Sequence, residues 1–510
     1  MPGAGRVGSD PVSGYPRPRN VLPVLVGELI GELGGGTGNV AVTGVTHSSS
    51  AVQPGDLYVA LPGARVHGAQ FIPEALQRGA VAVLTDPAGV RADAGVPFLV
   101  VDRPRDVLGE VASKVYGEPT RRLTTIGITG TAGKTSTTYL IEAGLRAAGQ
   151  VTGLIGTVET RLGDLTVKSI RTTPEATDLH ALFAAALERG VQSVAMEVSS
   201  HALEVGRVGG VRFAAAGYTN FGLDHLDFHP TVEAYFAAKA RLFDGRAAVE
   251  ILNADDVSVM RLRKPGSWTY SVRMDPVSDG ESDFGVSGVT VDGYGQAFDV
   301  HWRGRTARSG VQLPGRHNVA NALLAIASLV AVGVDLDVAA RAVAAAPGSP
   351  GRMERVDAPG DVVGVVDYAH KPDAMVEVLK ALRTLAASRG GRVICLVGAG
   401  GDRDRGKRPL MGRAAAEGAD LVIVTDDNPR TEDPAEIRAG VLTGTGGGPA
   451  EVVEIGGRRE AIAFAVAQAK PGDVIALLGK GHETGQEVNG EVLPFDDRVE
   501  LAAALREANS

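Results

Sequence analysis

The residues best suited to chemistry with phosphate lie in one glycine-rich segment. Residues 127–137 read GITGTAGKTST, an order typical of a strand, a loop and a helix. Backbone N–H groups of such a loop approach phosphate oxygens closely, and the positive end of the helix adds to the attraction. We therefore expect Lys134 to contact the β- and γ-phosphates of a nucleotide and Thr135 to bind Mg²⁺. Ile128 stands where the common pattern has its first glycine, so a glycine turn without a nucleotide is the alternative.

Carboxylates and histidines form a second group of candidates. Glu197 lies in an otherwise apolar strand pattern at the start of residues 196–203, MEVSSHAL. Two serines and a histidine follow it closely. A buried carboxylate needs a partner, which Mg²⁺ or a structural arginine would supply. Residues 220–229 read NFGLDHLDFH, with two aspartates and two histidines within six positions. This cluster is equally consistent with metal or proton chemistry and with capping of the next helix.

Two further polar residues, Lys239 and Asn318, lie in or beside predicted helices. Lys239 lies in the apolar segment 233–243, EAYFAAKARLF, where a lysine that keeps its ammonium group in water is the ordinary reading. Asn318 lies in segment 315–325, GRHNVANALLA. It is a candidate for capping a helix or for contacting a nucleotide, and the sequence alone leaves both open.

The last third of the chain carries charged loops, several of them directly after apolar runs. Ligands of open α/β sheets bind where the carboxyl ends of parallel strands meet. These loops therefore predict a ligand site, whereas a charge run is usually a solvated surface. The segments are GRMERV (351–356), VDYAHKPDAM (366–375), GAGGDRDRGKRPLMG (398–412), TDDNPRTEDP (425–434) and GKGHE (479–483).

The elements that must position these residues predict an α/β protein with three domains. Residues 21–120 hold the β-type runs VAVTGV, DLYVALPG, AVAVLTD and PFLVVD and one clear helix at 71–78, so we expect a small mixed α/β domain. In residues 121–346, alternating strand and helix patterns predict a parallel sheet, and the glycine-rich segment near the start of this region predicts a P-loop-type ATPase domain. Segment 275–308 interrupts that alternation with a hairpin-like pattern.

The two ends of the chain complete this organisation. Residues 347–510 alternate apolar runs and helical patterns, which predicts a Rossmann-like α/β domain. The segment APGSPG at 346–351 is the best candidate for a linker, because its prolines and glycines disfavour helix and strand. Residues 1–20 lack an apolar core and predict a disordered tail, not a signal peptide.

Composition excludes several classes of function. The chain has 510 residues with 51 basic and 60 acidic side chains, and this net charge of -9 argues against a general nucleic-acid binder. The single cysteine, Cys395, excludes an intramolecular disulfide and a cysteine-based zinc site, and it fits a reducing cytoplasm. The longest apolar stretch, 321–334, is too short to span a bilayer and predicts a buried helix, so no stable membrane insertion is expected.

Taken together, these motifs resemble those of the Mur ligases, the ATP-dependent amide-forming enzymes of peptidoglycan precursor synthesis. The resemblance extends from about Ser49 to Glu483, and the segments SSAVQPGDLYVALPG, DNPR and GKGHE are similar to those of members that add the third residue of the stem peptide. It implies that a cytoplasmic, monomeric enzyme joins meso-2,6-diaminopimelate to the D-Glu carboxylate of UDP-MurNAc-L-Ala-D-Glu through an acyl phosphate. The alternatives are a lysine-adding or folylpolyglutamate-type ligase of the same superfamily, or a nucleotide-dependent switch protein.

The resemblance also implies roles for residues around ATP and its Mg²⁺. Ala132 replaces an asparagine that is usual in the family, which would loosen one phosphate contact. His370 is implied to contact nucleotide and is a candidate to accept the proton of the attacking amine. Implied metal ligands are Thr135, Glu197, His225 and Lys239, the last as a carbamate (N6-carboxylysine). The implied ATP contacts are Gly130, Thr131, Ala132, Gly133, Lys134, Thr135, Ser136, His317, Asn318, Arg352, Asp367 and Tyr368.

Two further substrates are implied. For the uridine end, Ser48, Ser49 and Ser50 stand where the family usually has D-S-R, and His67 with Gly68 where it has D-G, so this pocket, next to His47, departs from the pattern. The implied contacts of UDP-MurNAc-dipeptide are Ser49, the loop after Gly63, Thr172, Thr173, Ser199 and Arg207. Those of diaminopimelate are Arg403, Asp427, Asn428, Pro429, Arg430, Gly479 and Glu483.

Overall fold

A computed structural model of the protein describes residues 14–30, 39–63, 65–91, 93–273 and 282–509. These residues divide into two compact units. The first falls within Met1–Thr129, Gly149–Ala216 and Leu223–Glu250, and the second within Gly130–Ala148, Gly217–Gly222 and Ile251–Ser510.

The N-terminal region is built on a small parallel sheet with strand order β3-β4-β5-β6. Side chains of β4 alternate between its faces, because successive residues of a strand point to opposite sides. Leu57 and Val59 belong to the core cluster that contains α3, and Tyr58 and Ala60 to the cluster that contains α2. The elements are β1 (Val24–Leu25), α1 (Val26–Leu29), β2 (Ala41–Val42), β3 (Gly44–Thr46), β4 (Asp56–Ala60), α2 (Ile72–Gln77), β5 (Ala82–Thr85), β6 (Phe98–Val100) and α3 (Pro104–Val115).

Three predictions for this region need correction. The run VAVTGV is not one strand, because β2 pairs with β1 and β3 pairs with β4. Helix α3 was not predicted, although its buried Leu108, Val111, Ala112 and Val115 follow helical spacing. The predicted tail is wrong for residues 14–20, since Arg17 forms an ion pair of 2.6 Å with Asp56; residues 1–13 lie outside the described residues.

The central region follows the predicted alternation of strands and helices. The elements are β7 (Thr124–Thr129), α4 (Lys134–Ala147), β8 (Thr152–Ile155), β9 (Glu159–Leu162), β10 (Leu165–Lys168), α5 (Ala176–Glu188), β11 (Ser193–Glu197), α6 (Ser200–Glu204), β12 (Phe213–Tyr218), α7 (Val232–Ala240), β13 (Ala247–Asn253), α8 (Val257–Met260), β14 (Trp268–Tyr270), β15 (Phe284–Asp292), β16 (Gly295–Trp302), β17 (Arg305–Val311), α9 (Arg316–Ala331) and α10 (Leu336–Ala345).

Each unit holds part of this region. In the first, β11 lies between β8 and β7 with all three parallel, and β9 and β10 extend them as an antiparallel pair. In the second, β15, β16 and β17 form antiparallel hairpins, as the sequence predicts; residues 275–281 of the predicted segment lie outside the described residues. Helix α9 is buried as predicted but ends at Ala331. In the part of the chain described here, no helix is long and apolar enough to cross a membrane.

The C-terminal region has the predicted Rossmann-like alternation around a sheet of order β18-β19-β23-β20-β21-β22. All neighbours in this sheet are parallel except β18 and β19. The elements are β18 (Glu354–Val356), β19 (Val363–Asp367), α11 (Pro372–Ser388), β20 (Val393–Val397), α12 (Lys407–Gly418), β21 (Leu421–Val424), α13 (Pro434–Leu442), β22 (Glu451–Glu454), α14 (Arg458–Gln468), β23 (Val474–Leu478), β24 (Gly485–Val488), β25 (Glu491–Pro494) and α15 (Asp497–Ala508). Its polar loops therefore follow the carboxyl ends of β19, β20, β21 and β23.

Candidate functional site

The glycine loop has the predicted position between β7 and α4. Lys134 is the first residue of α4, and its Nζ donates to the carbonyl oxygens of Gly130 (2.8 Å) and Thr131 (3.1 Å). Thr135 and Ser136 are buried in the first turn. A side chain at Gly133, whose φ is +86°, would collide with Asn321 Oδ1, so the backbone reaches this tight turn only with glycine.

Helix α9 supplies polar residues next to this loop. Asn318 is not the residue that caps α9, since Gly315 holds that position. Instead the Asn318 amide donates to the Pro314 carbonyl at 2.8 Å and accepts from Asn321 Nδ2 at 3.2 Å. Burial lowers the pKa of the neighbouring His317. Sequence reasoning missed Asn321, although it lies one helical turn after Asn318.

In the first unit, Glu197 ends β11 with only 1% of its surface exposed. Its Oε1 accepts from the Thr157 backbone N–H at 2.7 Å, and its Oε2 accepts from Thr157 Oγ1 at 3.1 Å. Thr157 Oγ1 lies 3.1 Å from Thr172 Oγ1. The structure thus brings Thr172 to Glu197 through Thr157, a residue that no motif singled out.

Thr173, Ser199 and Arg207, three of the residues assigned to the dipeptide, form a connected set. Thr173 Oγ1 donates to the Glu197 carbonyl at 2.9 Å and accepts from the Ser199 N–H at 3.1 Å. Arg207 donates to the Thr173 carbonyl at 3.3 Å and pairs with Glu175 at 2.8 Å. Burial raises the pKa of Glu175, but Arg207 and other nearby cations outweigh it and hold that pKa below its ordinary value. Glu175 was also missed by the sequence motifs.

The segment 220–229 gathers aromatic and imidazole rings. The rings of His201 and His225 have centroids 4.7 Å apart, and His225 Nε2 lies 3.2 Å from Asp224 Oδ2. Burial, followed by the charge of His229, lowers the pKa of His201. The interpretation of this segment as a helix cap is wrong, because Thr231 caps α7 by accepting from the Ala234 N–H.

Lys239 lies near these rings and not at the surface. Only 1% of the residue is exposed, and its Nζ lies 4.7 Å from the centroid of the Tyr235 ring. The interpretation as a lysine with its ammonium group in water is therefore wrong. Burying an ammonium group is costly, so a buried lysine in a polar region is a candidate for chemical modification or for charge pairing.

A cleft of about 270 Å³ lies in the N-terminal region of the first unit. Ser49 and Gly63, two positions that the resemblance assigned to the uridine end, line it. His67 does not line the cleft; its Nε2 lies 3.1 Å from Asp86 Oδ1 and its Nδ1 accepts from the Ala69 N–H. The lining residues are His47, Ser48, Ser49, Tyr58, Leu61, Pro62, Gly63, Val66, Gly68, Phe71 and Arg105.

In the second unit, the loop after β19 collects Arg352, Asp367, Tyr368 and His370. The Arg352 guanidinium lies 4.7 Å from the centroid of the Tyr368 ring. Asp367 accepts from the backbone of Met353 and Ala369 at 2.7 Å each, and burial raises its pKa.

His370 belongs to this loop, but its environment opposes the role of proton acceptor. Its Nδ1 lies 2.7 Å from the Tyr368 carbonyl oxygen, so Nδ1 carries the hydrogen and donates. Burial lowers the pKa of His370 to about 4. A base this weak takes a proton from an amine poorly at neutral pH, which argues against the predicted role.

The loops after β21 and β23 form one hydrogen-bonded network. Asn428 Nδ2 donates to Glu483 Oε2 at 2.8 Å, and Lys480 Nζ donates to Asn428 Oδ1 at 3.0 Å. Lys480 is fully buried. Burial raises the pKa of Asp427, which lies against Gly479. The structure therefore brings the predicted 427–430 and 479–483 segments together, and it adds Lys480, which the motif GKGHE contains but which was not singled out.

Arg430 makes contacts that the sequence did not predict. Its Nε donates to Glu487 Oε2 at 3.0 Å, and its Nη1 donates to the Gly401 carbonyl at 2.7 Å. Glu487 lies in β24, outside every motif, and only the fold brings it to Arg430. Pro429 precedes Arg430 and accepts from the Glu432 N–H at 3.1 Å.

The four predicted cations of residues 403–408 differ in the groups that they contact. Arg405 and Arg408 both pair with Glu432 at 2.9 Å, and Lys407 donates to the His370 carbonyl at 3.3 Å. Arg403 is exposed, and its side chain has no hydrogen-bond partner in the described part of the chain. Of these four cations, Arg403 is thus the one left for a ligand.

The described residues contain no group of three or more His, Cys, Asp or Glu side chains placed to hold a metal ion. The predicted ligand Glu197 is instead a single buried carboxylate in a setting of hydroxyl groups. Mg²⁺ is usually held by one or two carboxylates together with water and substrate phosphates. One carboxylate and nearby hydroxyl groups fit an Mg²⁺ ion that binds together with a nucleotide. They do not fit a metal site in which the protein supplies every ligand.

Comparison with known proteins extends over nearly the whole chain. Residues 41–116 match the model "Mur ligase family, catalytic domain", residues 128–329 the Mur ligase middle domain, and residues 351–481 the "Mur ligase, glutamate ligase domain". A protein of Streptomyces avermitilis named UDP-N-acetylmuramoyl-L-alanyl-D-glutamate--2,6-diaminopimelate ligase is 50% identical over 509 residues, which cover 97% of this chain and 99% of that protein.

Solved structures agree with this relationship. A structure of a UDP-N-acetylmuramoyl-L-alanyl-D-glutamate--2,6-diaminopimelate ligase is 33% identical, has a TM-score of 0.70 and covers 96% of this chain and 100% of that one. A MurF ligase of Thermotoga maritima in complex with ADP shares the fold at 16% identity, with a TM-score of 0.60 over 92% of this chain and 98% of that one. The glycine loop, the strand-end loops and these relatives together show that the chain belongs to the Mur ligase family of ATP-dependent amide-bond ligases.

Proposed function

We propose that this ligase adds meso-2,6-diaminopimelate to the D-Glu carboxylate of UDP-MurNAc-L-Ala-D-Glu during peptidoglycan precursor synthesis. The names of its relatives support this substrate pair. The observation that carries the proposal is the network of the loops after β21 and β23, in which Asn428 contacts Glu483 and Arg430 contacts Glu487. Arg430 is a cation that can bind a carboxylate, and Glu483 is an acid that can bind an ammonium group. The distal end of diaminopimelate carries both of these groups.

The reaction places two demands on the chain. First, the D-Glu carboxylate attacks the γ-phosphate of ATP, and an acyl phosphate forms while ADP leaves. Lys134 and the N–H groups at the start of α4 offset the repulsion between the two anions. Second, the amine of diaminopimelate attacks the acyl carbon and phosphate leaves. The amine must lose a proton in this step, and His370, with a pKa of about 4, is a weak acceptor for it.

Mg²⁺ is part of this proposal. The residues that would hold it are Thr135, Glu197 and His225, with Lys239 as a carbamate for a second ion. When bound, Mg²⁺ neutralises charge on the transferring phosphoryl group. Glu197 contributes a buried carboxylate whose two oxygens are oriented by Thr157. The chain thereby provides a preformed anionic oxygen ligand.

Lys239 is proposed to react with CO₂ and lose a proton, which gives a carbamate anion. Lys239 is buried beside Tyr235, and the uncharged amine is the form that attacks CO₂. Modification would turn a buried cation into an anion and so reverse the charge that this helix presents. This role rests on the resemblance for its origin and on the burial of Lys239 for its physical basis.

The nucleotide-sugar substrate is assigned to the first unit. Thr172, Thr173, Ser199 and Arg207 form the hydrogen-bonded set that would contact the dipeptide, and Ser49 lines the cleft that would take the uridine end. The same proposal makes the protein a cytoplasmic monomer that uses small-molecule substrates and no nucleic acid.

A reaction of the purified protein with ATP, Mg²⁺ and UDP-MurNAc-L-Ala-D-Glu tests the function. Diaminopimelate, lysine or glutamate is added separately, and mass spectrometry follows the amide product while ADP and phosphate are counted. We expect one amide product per ADP with diaminopimelate. ADP formation without an amide would indicate a nucleotide switch, and a product only with lysine or glutamate would indicate a different ligase of the superfamily.

A further inference from the structure

The hairpin of β24 and β25 holds the backbone of Arg430 from both sides. The Arg430 N–H donates to the Glu487 carbonyl at 3.0 Å, and the Asn489 N–H donates to the Arg430 carbonyl at 2.7 Å. Arg430 has a φ of +53°, a region that residues other than glycine rarely adopt. These two hydrogen bonds stabilise a backbone conformation that would otherwise be unfavourable.

The same hairpin also fixes the side chain. Nε of Arg430 donates to Glu487 Oε2 at 3.0 Å, while Nη1 donates to the Gly401 carbonyl at 2.7 Å. A Cβ atom at Gly400 would lie 2.9 Å from Arg430 Nη1, so the guanidinium passes closely over a position without a side chain. The protein therefore holds two of the three guanidinium nitrogens, Nε and Nη1.

Specific donors remain for a ligand. A guanidinium carries five N–H donors in a rigid plane, and it binds a carboxylate through two parallel hydrogen bonds. Nε is occupied by Glu487 and one hydrogen of Nη1 by the Gly401 carbonyl, which leaves the second Nη1 hydrogen, and in the described part of the chain no acceptor is bonded to Nη2. The edge formed by Nη1 and Nη2 is the one that can receive a carboxylate with two bonds.

We propose that Glu487 is a positioning residue for amino-acid selection, which acts by locking Arg430 with its Nη1–Nη2 edge available to the distal carboxylate of diaminopimelate. This inference rests on the proposed function. A long arginine side chain loses much conformational freedom when it binds, and Glu487 removes that loss before the substrate arrives. The side chains of Arg430 and Glu487 are 20% and 41% exposed, so water screens the repulsion between Glu487 and an arriving carboxylate.

The test uses Glu487→Ala, Glu487→Gln and the control Glu491→Ala, which removes an exposed acid from β25 of the same hairpin. The KM values for diaminopimelate and ATP and the kcat are measured for each, with thermal unfolding as a check of folding. Glu487→Ala should raise the KM for diaminopimelate about tenfold, with the other constants within about twofold of wild type. Glu487→Gln should largely retain the wild-type KM, because its amide oxygen still accepts from Nε.

A double variant separates action through Arg430 from a general effect. If Glu487 acts through Arg430, adding Glu487→Ala to Arg430→Ala should raise the KM no further. An unchanged KM in Glu487→Ala, additive effects in the double variant, or a KM in Glu487→Gln below that of wild type would overturn the inference. A wild-type enzyme that makes no diaminopimelate product would instead contradict the proposed function itself.

Discussion

Lys134 shows at the scale of one residue how the glycine loop is organised. Its ammonium group contacts the carbonyl oxygens of Gly130 and Thr131. These contacts hold a cation inside the loop, where a cation can offset charge that develops on a phosphoryl group.

Lys134→Ala should lower amide formation by about 10²-fold or more, because the charge that compensates the transferring phosphoryl group is lost. Product formation is followed by mass spectrometry under saturating substrates. Lys168→Ala, which removes an exposed lysine of β10, is the matched control and should keep wild-type activity. A folded Lys134→Ala enzyme with near-normal turnover would show that this loop does not serve the phosphate.

Lys239→Ala should lose activity, and short carboxylic acids such as acetate should restore part of it by replacing the carbamate. The wild-type enzyme supplied with ¹³C-labelled bicarbonate should also show a carbamate carbon signal in NMR that the variant lacks. Full activity of the folded variant, together with no labelled carbamate in the wild type, would remove this assignment.

How far the sequence predicts the site differs from residue to residue. Lys134, Thr173 and Asn428 lie in local motifs, and the structure places them in connected sets. Thr157, Glu175 and Glu487 could not be found in this way, because each reaches its partner from another strand or loop. Lys239 differs from both groups. The sequence of its helix does not show which face is buried, and only the packing shows that the face with Lys239 is.

At the scale of elements, buried strands were the most predictable part of the fold. The runs that became β4, β5, β20, β21 and β23 are continuous and apolar, because both faces of a parallel sheet are covered. Helix α3 was missed although its apolar spacing is helical, since charged residues between those positions obscure the pattern. The split of β2 from β3 depends on which neighbour each strand pairs with, and the sequence of that run does not specify this.

Helix α5 carries a buried histidine that should make stability depend on pH. His180 lies beside the Gly209 carbonyl at 2.9 Å, and burial lowers its pKa to about 4 from an ordinary value of 6.5. Between these values the unfolded chain binds a proton that the folded chain does not, so stability decreases as pH falls from 6.5 towards 4. The expected loss from this residue is about 3 kcal/mol.

Urea unfolding of wild type and His180→Gln across this pH range measures the effect. The variant should lose part of the pH dependence, while His301→Gln, which changes a ring at the surface of β16, should retain it. Equal pH dependence in wild type and His180→Gln would show that the pKa of His180 does not differ between the folded and unfolded protein, which would contradict this account.

At the scale of the whole molecule, the relatives cover 97% and 96% of the chain, and the predicted α/β class with sheets in three regions agrees with them. The exact domain boundaries at 120 and 346 stay predictions, because compactness divides the chain into two units whose limits fall elsewhere. Local sequence patterns show where the order of strands and helices changes. The limits of a compact unit depend instead on packing between segments that are distant in the sequence. The proposed monomer is tested by sedimentation at several protein concentrations, where a constant molecular mass is expected.

The most direct test of the central claim is a competition between meso-diaminopimelate and lysine in one reaction. Both amino acids are supplied at equal concentration with ATP, Mg²⁺ and limiting UDP-MurNAc-L-Ala-D-Glu, and mass spectrometry gives the ratio of the two amide products. A site built around the distal carboxylate should favour diaminopimelate by about 10⁴-fold, and Arg430→Ala should reduce that ratio steeply. Comparable amounts of both products from the wild type, or an unchanged ratio in Arg430→Ala, would contradict the account.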